Sequence, residues 1–200
     1  MIEGAINFHQ EPCEEVMTKL TKVKFTLDLD AVLDVDCLKR IKQDGHSRIP
    51  IVANGCESYI IAYLLTKSLI GLDTAEPKTI RQLFIEQEIQ VKVPLYLHQD
   101  TTLGRIVKSF QNGQSHMAVV CKTQEGAYEL REDAEQLINK MQNNYSRSSE
   151  SSVQSSRVDE SHLKLVNEVI GIVTLENVIE RILLSDIHDE GDRDKAMNML

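Results

Sequence analysis

Two strings hold the residues best suited to chemistry: Gly45-His46-Ser47-Arg48-Ile49-Pro50 and Gly171-Ile172-Val173-Thr174-Leu175-Glu176-Asn177. A Thr hydroxyl at a helix start lies beside free N–H groups and can hold a phosphate or ribose oxygen. Asn177, three residues on, can hydrogen-bond a ribose hydroxyl. Arg48 can fork onto a phosphate. The same side chains also have plainer uses. Thr174 is a good helix N-cap, Arg48 can pair with a surface carboxylate, and His46 can be a solvated loop residue. A third string, Val16-Met17-Thr18, stands where the chain enters its first structural unit. Chemistry built from these strings is recognition rather than turnover, because no nucleophile, base and orienting group can be named together.

The rest of the chain narrows the choice. Lys and Arg number 22 against 31 Asp and Glu, a net charge of -9 over 200 residues. That balance disfavours nucleic-acid binding, which rests on neutralising phosphates. Cys13, Cys37, Cys56 and Cys121 form no CxxC pair, and the six histidines form no HxxxH or HExxH pattern. Reduced thiols are expected, with no metal centre. GxGxxG, GxxxxGK[ST] and GxSxG are absent as well. No apolar run approaches the roughly 18 residues of a membrane span. The first ten residues carry Glu3, Asn7, His9 and Gln10, unlike a secretory leader.

The elements that must position these strings come from an internal repeat. Shifted by 68 positions, residues 23–52 lie on 91–120 without a gap, with Leu27 on Leu95, Leu29 on Leu97, Gly45 on Gly113, Ser47 on Ser115 and Val52 on Val120. Further on, Ile60–Leu65 matches Val169–Thr174 at an offset of 109, so the second copy carries an insertion of 41 residues. Each copy reads β-α-β-β-α. An extended segment (24–29, 92–97) precedes a helix with apolar residues at Val35, Leu38 and Ile41, or at Leu103, Ile106, Val107 and Phe110. Gly45 and Gly113 end these helices. The strands 49–52 and 58–65, and 116–122 and 168–173, are apolar enough to be buried on both faces. The helices 66–70 and 175–187 close the copies. A unit of about 60 residues has a marginal core by itself, so the two copies are expected to share one.

In the insertion, Leu130, Ala134, Leu137, Ile138 and Met141 recur at helical spacing and predict an amphipathic helix over 128–142. Its stripe either packs on its own domain or docks a partner. Eight of the sixteen residues from Ser146 to Ser161 are Ser, and disorder is expected over 143–161. Asp186, Asp189, Glu190, Asp192 and Asp194 form an acidic tail. It is either solvated or a magnesium-binding cluster.

With GHSRIP in one copy and GIVTLEN in the other, the chain resembles a CBS-pair (Bateman) module. MIEGAINF, EEVMTKL, GHSRIP and EVIGIVTLENVIERIL together resemble the cyclin-M (CNNM) magnesium-transport mediators and their bacterial CorC-type relatives, over residues 1–72, 77–122 and 167–190. The resemblance implies an α/β fold of two tandem CBS motifs, at 13–72 and 77–187. The second would hold an insertion at 123–166. Residues 1–12 would be a linker from a membrane domain absent from this chain, and 188–200 an acidic tail. It implies a non-enzymatic regulatory module on the cytoplasmic face of a membrane, assembled as a homodimer. The module would bind ATP with magnesium in one cleft between the motifs.

Mapped onto this sequence, the family's ligand positions are Thr18 near the adenine, the His46-Ser47-Arg48-Ile49-Pro50 run with Arg48 on the phosphates, and Thr174 near ribose and phosphate. Asn177 stands where the family has Asp, which implies weaker or altered nucleotide binding. In the first copy, Leu65 and Ser68 replace Thr174 and Asn177, so one nucleotide per chain is expected. A phosphatase partner, bound in some members through an acidic loop, has little support, because Lys164 falls where an Asp would be. The competing reading is a ligand-free dimerisation or docking module of the same kind of membrane protein.

Overall fold

A computed structural model describes residues 9–113, 115–145 and 168–183. Among these residues, eight strands form two four-stranded sheets. The first sheet runs in the order β2 (Leu27–Asp28), β3 (Arg48–Val52), β4 (Ile60–Leu65), β5 (Val91–Lys92). The second runs β1 (Thr18–Lys19), β8 (Val169–Thr174), β7 (Met117–Cys121), β6 (Leu95–His98). Each copy therefore lends a short strand to the other's sheet. β1 pairs antiparallel with β8, Thr18 opposite Ile172, and β5 pairs antiparallel with β4, Lys92 opposite Tyr63.

The helices are α1 (Val35–Asp44), α2 (Ile80–Ile85), α3 (Leu103–Gln111), α4 (Gln124–Tyr145) and α5 (175–183). Asp34 caps α1 by accepting from the Cys37 N–H at 2.8 Å, and Gly45 ends it at φ +76°. Gly113, at φ +72°, follows α3 one residue further on, after Asn112. Val35 opens α1 but is 51% exposed, and the buried residues of this helix are Cys37 and Ile41. The element that closes the first copy is a short 3-10 turn, Thr66–Leu69, rather than a full helix.

β4 and β7 are buried along their whole length, as apolar runs without alternation suggest. The main core draws on both copies: Ile49, Ile51 and Leu64 pack with Met117, Val119 and Ile172. A second core of Ala118, Val120 and Val173, with Cys13, Leu103, Ile106, Phe110 and Val178, fills the other face of the second sheet. Tyr96 stitches the sheets by donating its buried hydroxyl to the Ile60 carbonyl at 2.8 Å.

The ungapped repeat offset of 68 holds for the helix-ending glycines but slips in the strands. Leu27 pairs with Ile51, and the residue in the same place of the second copy is Leu97, paired with Val120. Val52 corresponds to Cys121 rather than Val120, since both sit after the same bulge. The extended segment 24–29 is a strand only at Leu27–Asp28, and the strand ahead of it is Thr18–Lys19. Strands buried on both faces carry no alternation to fix register, so a slip of one residue leaves no trace in the pattern.

The inserted helix is longer than its stripe. α4 starts at Gln124, where the Thr123 hydroxyl accepts from the Gly126 N–H at 3.0 Å, and it includes 143–145 of the stretch expected to be disordered. Ala127, Leu130, Ala134, Ile138 and Met141 are buried in the shared core, and the Tyr59 hydroxyl donates to Asp133 at 2.7 Å. The stripe thus packs on its own domain. The Ser-rich segment 146–161, Lys164 and the acidic tail lie outside the described residues, as do residues 1–8.

Candidate functional site: a cleft between the two copies

β3 of the first copy, with the turn that follows α1, faces β8 and α5 of the second across a cleft of about 600 Å³. Among its lining residues are Thr18, His46, Ser47, Arg48, Pro50, Thr174 and Asn177, seven of the eight residues singled out in the sequence. The eighth, Ile49, does not line it. Strand side chains alternate, so Arg48 and Pro50 face the cleft while Ile49, 1% exposed, enters the shared core. On β8 the same alternation sends Ile172 and Thr174 to the cleft and Val173 to the second core.

Thr18 reaches this cleft through the strand exchange. β1 crosses to the second sheet and lies so close to β8 that a Cβ on Gly171 would stand 2.6 Å from the Thr18 carbonyl oxygen and 2.9 Å from the Met17 sulfur. Glycine at 171 is thus what admits the strand that carries Thr18.

Thr174 and Asn177 are occupied with each other. The Thr174 N–H and hydroxyl both donate to Asn177 Oδ1, at 2.9 and 3.0 Å, and the Asn177 N–H faces the Thr174 hydroxyl oxygen at 3.4 Å. This is a reciprocal cap on α5, so the plainer role of Thr174 is realised. A ligand entering the cleft meets the Asn177 Nδ2 donors rather than its carbonyl oxygen.

Arg48 is gripped from two sides. Nη1 donates to Glu176 Oε1 at 3.3 Å and to Ser47 Oγ at 3.2 Å, and Nη2 donates to His116 Nδ1 at 2.9 Å. Both an ion-pair role and a cleft position therefore hold for it. His46 stands at the rim, 72% exposed, with Nε2 3.8 Å from Asp44 Oδ2. The lining also carries Lys22, Lys24, Phe25, Glu176 and Glu180, which motif reading passed over. Three fixed cations against two carboxylates leave this cleft locally positive within an acidic chain. Phe25 is held by Arg40, whose guanidinium lies 5.4 Å from the ring centroid. The signal for Glu176 was its place between Thr174 and Asn177. Lys22, Lys24 and Phe25 had none, because the turn that swings them to the cleft has no counterpart in the second copy.

The corresponding residues of the first copy offer much less. Leu65 presents only aliphatic surface. The Ser68 hydroxyl is spent on the Leu65 carbonyl and the Gln90 N–H, at 2.7 and 3.1 Å. The four cysteines are free thiols. Burial pushes Cys13 up to about 11 and Cys121 up to about 12, so both stay protonated near neutrality. No group of three metal-ligating side chains is assembled among the described residues. No helix among them is long and apolar enough to cross a membrane.

No protein-family model matches the chain. Two DUF21 domain-containing proteins of Arabidopsis thaliana are similar in sequence. One is 28% identical over 228 residues, covering 96% of this chain and 44% of the relative, and the other is 25% identical over 232 residues, covering 96% and 53%. The chain thus spans about half the length of the curated relatives it matches. Among solved structures, the CBS domain of a bacterial CNNM/CorC family Mg2+ transporter in complex with ATP superposes with a TM-score of 0.57 at 19% identity, over 91% of this chain and 94% of that one. A CBS-containing hemolysin-like protein of Oenococcus oeni gives 0.52 at 15% identity, over 90% and 96%. The two tandem copies have the fold of a CBS pair.

Proposed function

We propose that this CBS-pair module of the CNNM/CorC type is the regulatory, non-enzymatic part of a membrane magnesium or divalent-cation transport mediator. It works on the cytoplasmic face of the membrane and senses adenine nucleotide. The observation that carries the reading is the cleft itself. Two copies of one motif, far apart in sequence, bring Thr18, His46, Arg48, Thr174 and Asn177 to one space of about 600 Å³. That volume is within the range of sites for cofactor-sized ligands. The neighbouring structure that holds ATP supports the choice of ligand.

In this reading adenine lies near Thr18 and Phe25, and the phosphates reach Arg48 with Lys22 and Lys24 nearby. Magnesium arrives on the phosphates and offsets Glu176 and Glu180, which would otherwise repel them. The module pairs with a second copy, and ligand occupancy biases the shape of that dimer. A ligand can do this only through unequal affinity for two shapes. The change passes through residues 1–12 to a transmembrane transport domain. Neither nucleic acid nor a phosphatase belongs to this proposal.

Calorimetric titration with ATP and magnesium tests it, using the wild type and Thr174→Ile. Saturable binding at one site per chain, lost in Thr174→Ile while its circular dichroism is kept, is the expected result. No heat at millimolar ATP in the wild type would favour a ligand-free docking module instead. The mutual satisfaction of Thr174 and Asn177 is what would fit that alternative.

A further inference from the structure

We infer that His116 is a positioning residue for Arg48, and that it serves only while its imidazole is neutral. The inference takes its ligand from the nucleotide reading above, but its geometry stands apart from it. Arg48 Nη2 lies 2.9 Å from His116 Nδ1. A guanidinium has donors and no acceptor, so Nδ1 must offer a lone pair and the ring proton must sit on Nε2.

The ring is held for this. Phe110, 2% exposed, meets it edge-on at 6.2 Å with planes 63° apart. The His116 carbonyl accepts from the Leu175 N–H at 3.2 Å, which ties the residue to the start of α5 beside Thr174. His116 does not line the cleft. It stands behind Arg48, whose other side faces Glu176.

The two partners of Arg48 from the second copy therefore differ in kind. Glu176 is a carboxylate on the cleft wall, 58% exposed, and an incoming phosphate must displace it. The neutral imidazole does not compete for anions, and it keeps the fork aimed once Glu176 has gone. Protonating Nδ1 turns this acceptor into a donor and sets two cations face to face. The charged and titratable groups around the pair are Arg48 on β3, Glu176 and Glu180 on α5, Lys22 and Lys24 beside β1, and His46 at the rim. From α3, Phe110 meets the ring. His46 is a second imidazole, at the cleft rim, and a positive charge there favours an anion, so its effect has the opposite sign.

The test uses ATP-Mg titrations at pH 8 and pH 5.5 on the chain carrying His46→Gln, with His116 intact or changed to Asn or Leu. With His116 intact, affinity should fall by about tenfold on acidification, the scale of one hydrogen bond to a charged group. His116→Asn puts a carbonyl oxygen close to the position of Nδ1. It should keep the pH 8 affinity within roughly threefold and lose about tenfold of the acid response, leaving only what protonation of the terminal phosphate gives every variant. His116→Leu should be about tenfold weaker at both pH values. An acid response in His116→Asn as large as with His116 intact, or full affinity in His116→Leu, overturns the assignment.

A second arm needs no ligand. Nitrogen-15 spectra at pH 8 should show His116 with its proton on Nε2, a preference lost in Arg48→Met. A proton on Nδ1 overturns the inference. Should no ATP bind at any pH, the nucleotide reading fails and the spectra alone decide the role of His116.

Discussion

Asn177 Oδ1 accepts from both the N–H and the hydroxyl of Thr174, so the two polar groups at the mouth of α5 are joined to each other before any ligand arrives. This relationship sets what the cleft can offer. The carbonyl half of the amide belongs to the helix cap, and the Nδ2 half belongs to the ligand. Asn177→Asp should keep the cap and gain about 0.3–1 kcal/mol from a charge at a helix N-terminus. It should also exchange two donors for an acceptor, which suits ribose hydroxyls and opposes phosphates. Binding of adenosine should therefore tighten more than binding of ATP, as competition titrations of the two ligands would show.

Thr174→Ala removes the other half of the cap. The expected loss is about 0.5–2 kcal/mol of stability, with Tm lower by roughly 2–4 °C per kcal/mol at this chain length. Thermal melts of the variant and the wild type check it. An unchanged Tm would mean that the cap is not formed in solution.

Gly171→Ala should damage the site without touching a side chain in it. The new Cβ meets the Thr18 carbonyl oxygen at 2.6 Å, and backbone cannot swing aside as a side-chain end can. Overpacking of this kind costs about 1–3 kcal/mol. Because β1 must retreat and take Thr18 with it, nucleotide affinity should fall together with Tm.

Glu176→Gln releases the guanidinium from its carboxylate partner at 3.3 Å. The carboxylate side of the pair is 58% exposed, so the stability change should stay within about 1 kcal/mol. ATP should bind several-fold tighter, because Arg48 no longer has to leave a carboxylate, and binding should depend less on magnesium. Titrations with and without magnesium separate the two effects.

Asp30 and Arg81 give the fold a small acid-sensitive contribution. Arg81 forks onto Asp30 at 2.6 and 2.9 Å and holds the carboxyl below its usual range. A depressed carboxyl adds stability above its unfolded value near 3.9, and that stability is lost as pH falls through the lower folded value. Asp30→Asn should therefore lower Tm at pH 7, and the difference from the wild type should shrink as pH falls below about 3.9.

Leu130→Ala tests the inserted helix. Leu130 is 1% exposed in the core shared by both copies, and the substitution should cost about 2–5 kcal/mol. A melt within 1 °C of the wild type would mean that α4 is not packed in solution as described.

The parts of this protein legible in its sequence are those where local chemistry repeats. The glycines that end α1 and α3, the apolar runs of β4 and β7, and the GHSRIP and GIVTLEN strings each announce themselves within a few residues. What escaped is what depends on partners far along the chain. β1 was hidden because two residues, Thr18 and Lys19, make a strand only when β8 lies beside them. Strand register slipped because burial on both faces removes the alternation that would fix it. Ile49 was grouped with Arg48 and Pro50 because a motif is read as a unit, whereas a strand sends neighbours to opposite faces. His116 is a lone histidine in the sequence, and its partner Arg48 stands on a strand of the other copy.

The central claim is that one adenine nucleotide occupies the cleft between the copies, and a crystal structure grown with ATP and magnesium tests it most directly. The account predicts a nucleotide with adenine near Thr18 and phosphates on Arg48, Glu176 swung away, and no second nucleotide beside Leu65 and Ser68. A cleft without nucleotide at millimolar ATP, with Arg48 still on Glu176, would contradict it.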